Sequence, residues 1–206
     1  MVVLLVNISD FRYDIVITMN GEIMMEKKRC KWCNLNNPLY VDYHDKEWCV
    51  PVYDDETLLE FMILEPFQAG LSWECILNKR EAFRKAFDNY DKEKIITYDE
   101  EKIQEMLGNA GIVRNRRKIE AAIQNTKIFI EIQKEWGSFS NYIWHFTEGK
   151  IIYEIGLSKS ELSDRISKDM KKRGMKFIGT TTVYAFLQSI GVIYSHEEDC
   201  FLYKQL

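Results

Sequence analysis

The chain has 206 residues, an apolar content of 46% and a net charge of −4, values that suit one large globular domain or two small ones. Five cysteines, an odd number, in a chain without a secretory signal argue against a disulfide scaffold and favour a reducing cytoplasm. No apolar run reaches the ~20 residues that a bilayer span requires. The sequence therefore predicts a cytoplasmic protein that does not enter the membrane.

The first two dozen residues differ in composition from the rest. Residues 2–6 and 15–17 are β-prone, whereas charged and aromatic residues become dense after them. We interpret residues 1–24 as an amino-terminal extension and residues 25–206 as a single domain. The alternative is a short hairpin that packs on the domain.

Two cysteine–histidine pairs lie at opposite ends of the chain: Cys30 precedes His44 by 14 residues, and His196 precedes Cys200 by four. These donors suit a tetrahedral Cys₂His₂ zinc site that ties the amino-terminal segment to the carboxy-terminal one. One alternative is a set of unrelated buried thiols and surface imidazoles. Another is that Cys33, which forms a Cys-x-x-Cys pair with Cys30, replaces His44 as a ligand.

Apolar spacing and capping residues predict a succession of helices through the middle of the chain. The expected helices begin at Asp54 or Asp55, Ser72, Asp91, Asp99, about Arg114, the capping box of Ser158 and Glu161, and about Thr181. The helix that starts at Ser72 includes Phe87. No stretch alternates well enough to demand a sheet, so the fold class is mainly α, with short strands only near the amino terminus and around residues 150–155.

A glycine-bounded turn at residues 107–114 separates two of these helices, and basic residues begin the second. Gly111 lies in the turn, followed by Arg114, Arg116, Arg117 and Lys118. Unpaired N–H groups at a helix amino terminus, with cations nearby, can bind a DNA phosphate without reading sequence. The element resembles the helix–hairpin–helix of DNA repair enzymes and predicts contacts with the DNA backbone. The alternative is a solvated helix face.

Four further motifs are more specific than the turn. They are RCKW at residues 29–32, PLYVDYHDKEW at 38–48, EPFQAGLSW at 65–73 and KKRGMKFIGTT at 171–181. In this order they resemble the constitutive bacterial DNA-3-methyladenine glycosylase I family, over about residues 29–203. The resemblance implies a helix–hairpin–helix glycosylase-like helical domain whose two ends are joined by zinc. It also implies hydrolytic excision of 3-methyladenine from alkylated DNA without a lyase step.

The resemblance also assigns roles to individual residues. It implies one structural Zn²⁺ per chain, held by Cys30, His44, His196 and Cys200. It places the base pocket around Glu65, Tyr43 and Trp73, with Tyr40, Trp48 and Trp32 nearby. N3-methylation makes adenine a cation, so electron-rich rings can stack on it for ~2 kcal/mol or more when desolvated. Glu65, the expected catalytic residue, can accept hydrogen bonds from the exocyclic amine.

The expected partners are double-stranded alkylated DNA and, as product, free 3-methyladenine, and we expect a monomer. Cys49 and Pro66 depart from the family pattern, since glycine is common at or near both positions. A proline after Glu65 predicts extended backbone at the glutamate. Two other function classes stay open: a non-catalytic, zinc-joined module that binds DNA damage, and a zinc-stabilised helical interaction protein without a nucleic-acid role.

Overall fold

The computed structural model describes residues 13–17 and 23–204, and helices dominate this part of the chain. The helices are α1 (Pro38–Lys46), α2 (Asp55–Gln68), α3 (Trp73–Leu77), α4 (Arg80–Ala86), α5 (Lys92–Ile95), α6 (Glu100–Gly108), α7 (Arg116–Trp136), α8 (Phe139–His145), α9 (Glu161–Lys172) and α10 (Thr180–Ser189), with a 3₁₀ helix at Asp88–Tyr90. The strands are β1 (Tyr13–Ile17), β2 (Ile23–Lys27), β3 (Ile152–Tyr153) and β4 (Ile193–Tyr194). The mainly α prediction is confirmed, and β3 is the strand expected near residues 150–155. Among the described residues, we find no helix with the length and apolar character needed to cross a membrane.

Strands β1 and β2 form an antiparallel hairpin near the amino terminus. Tyr13 pairs with Lys27, and Ile17 pairs with Ile23. The expected boundary between residues 24 and 25 therefore falls inside β2, so the hairpin uses residues from both sides of it. The other β-prone segment, residues 2–6, lies outside the described residues.

Helix α2 runs through the core of the protein. Asp54 caps its amino terminus, as predicted, and residues 58–67 are all buried. Helices α3, α7, α8 and α10 pack around it, which explains an apolar surface on all sides of one helix. Two carboxylates are buried with it. Glu60 is paired with Arg80 at 2.6 Å, whereas Glu65 faces a cavity.

The capping box of α9 lies two residues later than predicted. Ser158 is not the cap; Ser160 is, and its Oγ accepts a hydrogen bond from Ser163 N at 3.5 Å. In return, Ser163 Oγ accepts from Ser160 N at 2.9 Å. The prediction is wrong because a serine hydroxyl, rather than the carboxylate of Glu161, closes the box.

The single helix predicted from Ser72 through Phe87 is also wrong. Ser72 does cap a helix, but α3 ends after five residues, and α4 begins after Asn78 and Lys79. At the break, the Lys79 ammonium donates hydrogen bonds to the carbonyl oxygens of Ala110 and Gly111 at 3.1 and 3.3 Å. A tertiary contact thus accompanies the break in a helical pattern.

Segments from the two halves of the chain meet beside α10. Cys49 N donates to Gln188 O at 2.9 Å, and Val52 N donates to Ile190 O at 3.0 Å. Gly191 follows with a φ of +70°. A Cβ at this position would lie 2.3 Å from the carbonyl carbon of Val50. The backbone of residues 49–52 therefore passes directly over a position that only glycine accommodates.

Gly191→Ala is expected to lower the free energy of unfolding by about 3 kcal/mol or more, because the clash is with backbone and the left-handed conformation adds strain. Urea denaturation measures the loss. Gly149→Ala is the matched control, since Gly149 has a φ of +74° and nothing within 4 Å of the added Cβ. Equal losses in the two variants would contradict the close backbone approach.

Candidate functional site

A cavity of about 260 Å³ lies among α1, α2, α3 and the end of α10. Its wall contains all six residues that the resemblance assigns to the base pocket: Trp32, Tyr40, Tyr43, Trp48, Glu65 and Trp73. Gln68, Gln188 and Ser189 also line it. Residues from distant parts of the chain are therefore brought together around one space.

Aromatic rings form much of the cavity wall. The centroids of Tyr43 and Trp73 are 5.4 Å apart, with an interplanar angle of 49°. Trp32 and Trp48 meet edge to face at 4.7 Å. The Trp73 indole N–H is buried and has no hydrogen-bond partner among the described residues. Such a wall can stack on one face of a flat ring and donate a hydrogen bond to its edge.

Glu65 is the buried carboxyl group of the wall, with only 3% of its surface exposed. Its Oε1 accepts a hydrogen bond from Ser189 Oγ at 2.6 Å, whereas its Oε2 is buried without a partner among the described residues. Burial raises the pKa of Glu65 to about 8, against the lowering effect of the Ser189 hydrogen bond. One oxygen is thus fixed and the other needs a ligand, because an unpaired buried polar atom is costly.

Ser189 connects Glu65 to Tyr43, whose hydroxyl oxygen lies 2.9 Å from the serine Oγ. A serine hydroxyl has one hydrogen to donate. With Glu65 ionised, Ser189 therefore donates to the carboxylate, and Tyr43 donates to Ser189. The sequence patterns did not predict this serine; their only signal is its place in the helix expected to begin at about Thr181.

Cys30, His44, His196 and Cys200 form a buried cluster whose donor atoms all lie within 4.8 Å of one another. Three sulfur–nitrogen distances, Cys30 to His196, Cys200 to His196 and Cys200 to His44, are each 3.5 Å. Tetrahedral zinc, with bonds of about 2.3 Å to sulfur and about 2.0 Å to nitrogen, separates such ligands by about 3.5 Å. The chemistry and spacing of the donors therefore fit Zn²⁺.

A second layer of polar contacts orients His44. Its Nδ1 lies 2.8 Å from Asp45 Oδ1, and Arg29 holds both oxygens of that carboxylate at 2.8 and 2.7 Å. Nε2 is left facing the cluster, as in histidines that ligate metals. Cys33 lies apart, with its sulfur 3.8 Å from the Tyr40 carbonyl oxygen. The geometry groups His44, rather than Cys33, with the other three donors.

The turn between α6 and α7 carries the residues predicted to contact the DNA backbone. Arg114 and Arg117 are exposed. Arg116 forms ion pairs with Glu100 at 2.6 Å and with Glu120 at 3.3 Å, which partly neutralise its charge. The exposed positive charge of this turn therefore lies mainly on Arg114 and Arg117.

Gly111 and Lys118 have their hydrogen-bonding groups turned toward the protein. Gly111 N donates to Asn109 Oδ1 at 2.8 Å. Lys118 is only 6% exposed, and its Nζ donates to the carbonyl oxygens of Phe67 and Ala69 at 2.9 and 2.7 Å. Because these donors have internal partners, we remove Gly111 and Lys118 from the predicted phosphate contacts.

Comparison with known proteins identifies the family. The chain matches the model of the methyladenine glycosylase family over residues 32–203. It belongs to this family. DNA-3-methyladenine glycosylase of Haemophilus influenzae is 42% identical over 178 residues, which are 84% of this chain and 96% of that protein.

Solved structures of similar proteins agree in fold. A crystal structure of 3-methyladenine DNA glycosylase I, 38% identical, superposes with a TM-score of 0.82 and covers 85% of this chain and 100% of its own. A second crystal structure, of a tyrosine-to-phenylalanine variant of 3-methyladenine DNA glycosylase I in complex with 3-methyladenine, is 32% identical. It has a TM-score of 0.80 and covers 84% of this chain and 96% of its own.

Two departures from the family pattern lie close to the cavity. The extended backbone predicted at Glu65 is wrong, because Glu65 and Pro66 both lie inside α2. The ten residues of helix that precede Glu65 impose their geometry on it, and the proline occupies only the last turn. Cys49, where glycine is common in the family, adopts a φ of 63°. That left-handed conformation is the one that glycine adopts without strain.

Proposed function

We propose that this member of the methyladenine glycosylase family excises 3-methyladenine from alkylated double-stranded DNA by hydrolysing the N-glycosidic bond. The observation that carries the proposal is the Oε2 of Glu65, which has no hydrogen-bond partner among the described residues and is buried in a cavity walled by aromatic rings. A carboxylate facing aromatic rings suits a flat cation better than a neutral base. The names of the relatives and the bound base in one similar structure support the same substrate.

Base flipping delivers the substrate in this proposal. A base inside a duplex is out of reach of an enclosed cavity, so the nucleotide is extruded at a cost of a few kcal/mol. Tyr43 and Trp73 then stack on the cationic ring, with Tyr40, Trp48 and Trp32 completing the wall. The cationic base favours the ionised form of Glu65, whose pKa is otherwise raised to about 8 by burial. The carboxylate then accepts hydrogen bonds from the exocyclic amine and complements the positive charge. Ordinary adenine carries no such charge and gains less from this site.

The proposed reaction has no lyase step. A lyase of this type needs an amine nucleophile that forms a Schiff base with the sugar. No lysine lines the cavity in the described part of the chain. The cationic base is already a good leaving group, so little acid catalysis is needed, and water completes the hydrolysis.

We propose that the turn between α6 and α7 acts as a helix–hairpin–helix that holds the DNA backbone. Arg114 and Arg117 supply exposed positive charge, with Arg116 beside them, and α7 supplies the positive end of its dipole. Replacing Arg114 and Arg117 with alanine would then weaken DNA binding and make it less dependent on salt. An interaction protein without a nucleic-acid role would show neither effect.

Zn²⁺ has a structural role in this proposal. Cys30, His44, His196 and Cys200 would supply four protein ligands, which leaves no open position for water or substrate. The bound ion would hold the amino-terminal and carboxy-terminal segments together. Since His44 is next to Tyr43 in α1, the metal would also fix the tyrosine at the cavity.

We further propose that residues 25–206 act as one glycosylase domain, preceded by an extension at residues 1–24. The family match over residues 32–203 supports the single domain, and the β1–β2 hairpin, which crosses the boundary at residues 24 and 25, joins the extension to it. In the proposed setting the chain is a monomer in the bacterial cytoplasm, where the chromosome is its substrate.

The decisive experiment measures release of free base from methylated double-stranded DNA, with unmethylated DNA of the same sequence as control. Chromatography of the released bases is expected to give 3-methyladenine, with an intact sugar–phosphate backbone at the abasic site. Binding of methylated DNA without release would instead favour the non-catalytic damage-binding module. Strand cleavage by the protein itself would contradict the absence of a lyase step.

A further inference from the structure

Lys118 lies in the first turn of α7, yet its side chain reaches the carboxyl end of α2, the helix that carries Glu65. Its ammonium donates to Phe67 O at 2.9 Å and to Ala69 O at 2.7 Å. The side chain is almost completely buried. A predicted DNA-binding residue is therefore engaged inside the protein.

At the end of α2, the carbonyl oxygens of Pro66 and Gln68 accept hydrogen bonds from the backbone N–H groups of Ala69 and Leu71 at 3.4 and 2.6 Å. Those of Phe67 and Ala69 accept from Lys118. The last four carbonyls of a helix have no partner within the helix. The chain leaves the helix at Ala69, whose ψ is 114°. A cation at the negative end of the helix dipole supplies both the missing donors and favourable charge.

We propose that Lys118 is a positioning residue, which holds the last turn of α2 so that Glu65 and Gln68 face the cavity and couples this wall to the turn that contacts DNA. The inference rests on the proposed function of the site. Gln68, next to the bonded carbonyl of Phe67, lines the cavity. A shift of this turn would therefore move the cavity wall directly.

A phosphate contact by Lys118 is the competing role. To reach a phosphate, the ammonium would leave both carbonyl oxygens, and these would then lose charge-assisted hydrogen bonds. Burial also lowers the pKa of Lys118, because desolvation disfavours the charged ammonium. The two hydrogen bonds to the carbonyl oxygens of Phe67 and Ala69 therefore favour the positioning role of Lys118 over a phosphate contact.

The test compares Lys118→Met with Lys127→Met, an exposed lysine of the same helix. Three quantities are measured well below the unfolding temperature: affinity for free 3-methyladenine, single-turnover base release, and the salt dependence of DNA binding. Lys118→Met is expected to lower the first two about tenfold, the loss of a charged hydrogen bond, and to leave the salt dependence unchanged. Lys127→Met is expected to match the wild type in all three.

Two results would overturn the inference. One is a shallower salt dependence, by about 0.9 in the log–log slope for one phosphate contact, with affinity for 3-methyladenine intact. The other is a Lys118→Met protein that matches Lys127→Met throughout. If Lys118→Met does not fold, Lys118→Gln replaces it. Its shorter, uncharged side chain keeps N–H donors, so a smaller loss of affinity and base release is expected, and a shallower salt dependence with affinity for 3-methyladenine intact still overturns the inference. A wild-type chain that neither binds nor releases 3-methyladenine would contradict the proposed function instead.

Discussion

Glu65→Gln is expected to reduce the rate of 3-methyladenine release by about 10- to 100-fold. A hydrogen bond to a charged group contributes about 1.5–3 kcal/mol, and each ~1.4 kcal/mol lost from the transition state lowers the rate about tenfold. The amide has nearly the shape of the carboxyl group but cannot carry the negative charge that complements a cationic base. Single-turnover release from methylated DNA measures the effect. A wild-type rate would contradict a role for Glu65 in the cavity.

Stability provides the control for this variant. The pKa of Glu65 is raised by burial from 4.5 to about 8, so the neutral form stabilises the folded state below pH 4.5, and this contribution is lost as pH rises through about 8. Glutamine does not titrate. The free energy of unfolding of Glu65→Gln, relative to the wild type, is therefore expected to increase between these pH values. A constant difference across that range would contradict a buried, titrating Glu65.

His44→Ala is expected to cause the largest loss of stability, about 5 kcal/mol or more, because loss of a structural metal site belongs to the most destabilising changes. Removal of the metal with a chelator is expected to act in the same direction. Activity should fall as well, since Tyr43 is adjacent in α1 and its hydroxyl contacts Ser189. Thermal unfolding, zinc content and base release measure the three effects.

Cys33→Ala is the matched control for the proposed metal site. Cys33 is buried and only three residues from Cys30, but its sulfur contacts the Tyr40 carbonyl group rather than the cluster. The variant is expected to keep one equivalent of zinc and near wild-type activity. Zinc lost from Cys33→Ala but retained by His44→Ala would mean that Cys33 is the ligand.

The helix starts that were predicted well depend on local chemistry. Asp54, Ser72, Asp91 and Asp99 each accept a hydrogen bond from a backbone N–H of the following turn, so a cap and the apolar spacing after it sufficed. Helix α1 was missed although Asn37 caps it and Pro38 follows. Its apolar pattern is weak because histidine and aspartate interrupt it.

The parts of the site that could not be predicted depend on contacts between distant segments. Nothing near Ser189 in the sequence indicates that its hydroxyl lies between Tyr43 and Glu65, and Lys118 has the pattern of a phosphate-binding residue until its burial is known. The aromatic and acidic residues of the cavity were found through motifs, and the cysteine–histidine pairs through their chemistry. Which of these groups touch is set by the packing of α1, α2, α7 and α10.

The separation of the four cysteine and histidine residues of the cluster along the chain has a consequence for biosynthesis. Cys30 and Cys200 meet across 170 residues, and Phe201 N donates to Lys28 O at 2.8 Å, so the cluster forms only after the last helix has left the ribosome. Contacts between residues so far apart in the sequence also form slowly during folding. Until then, Cys30 has only His44 beside it from this set. Newly made chains should therefore pass through an interval in which their thiols are open to oxidants and the cavity is incomplete.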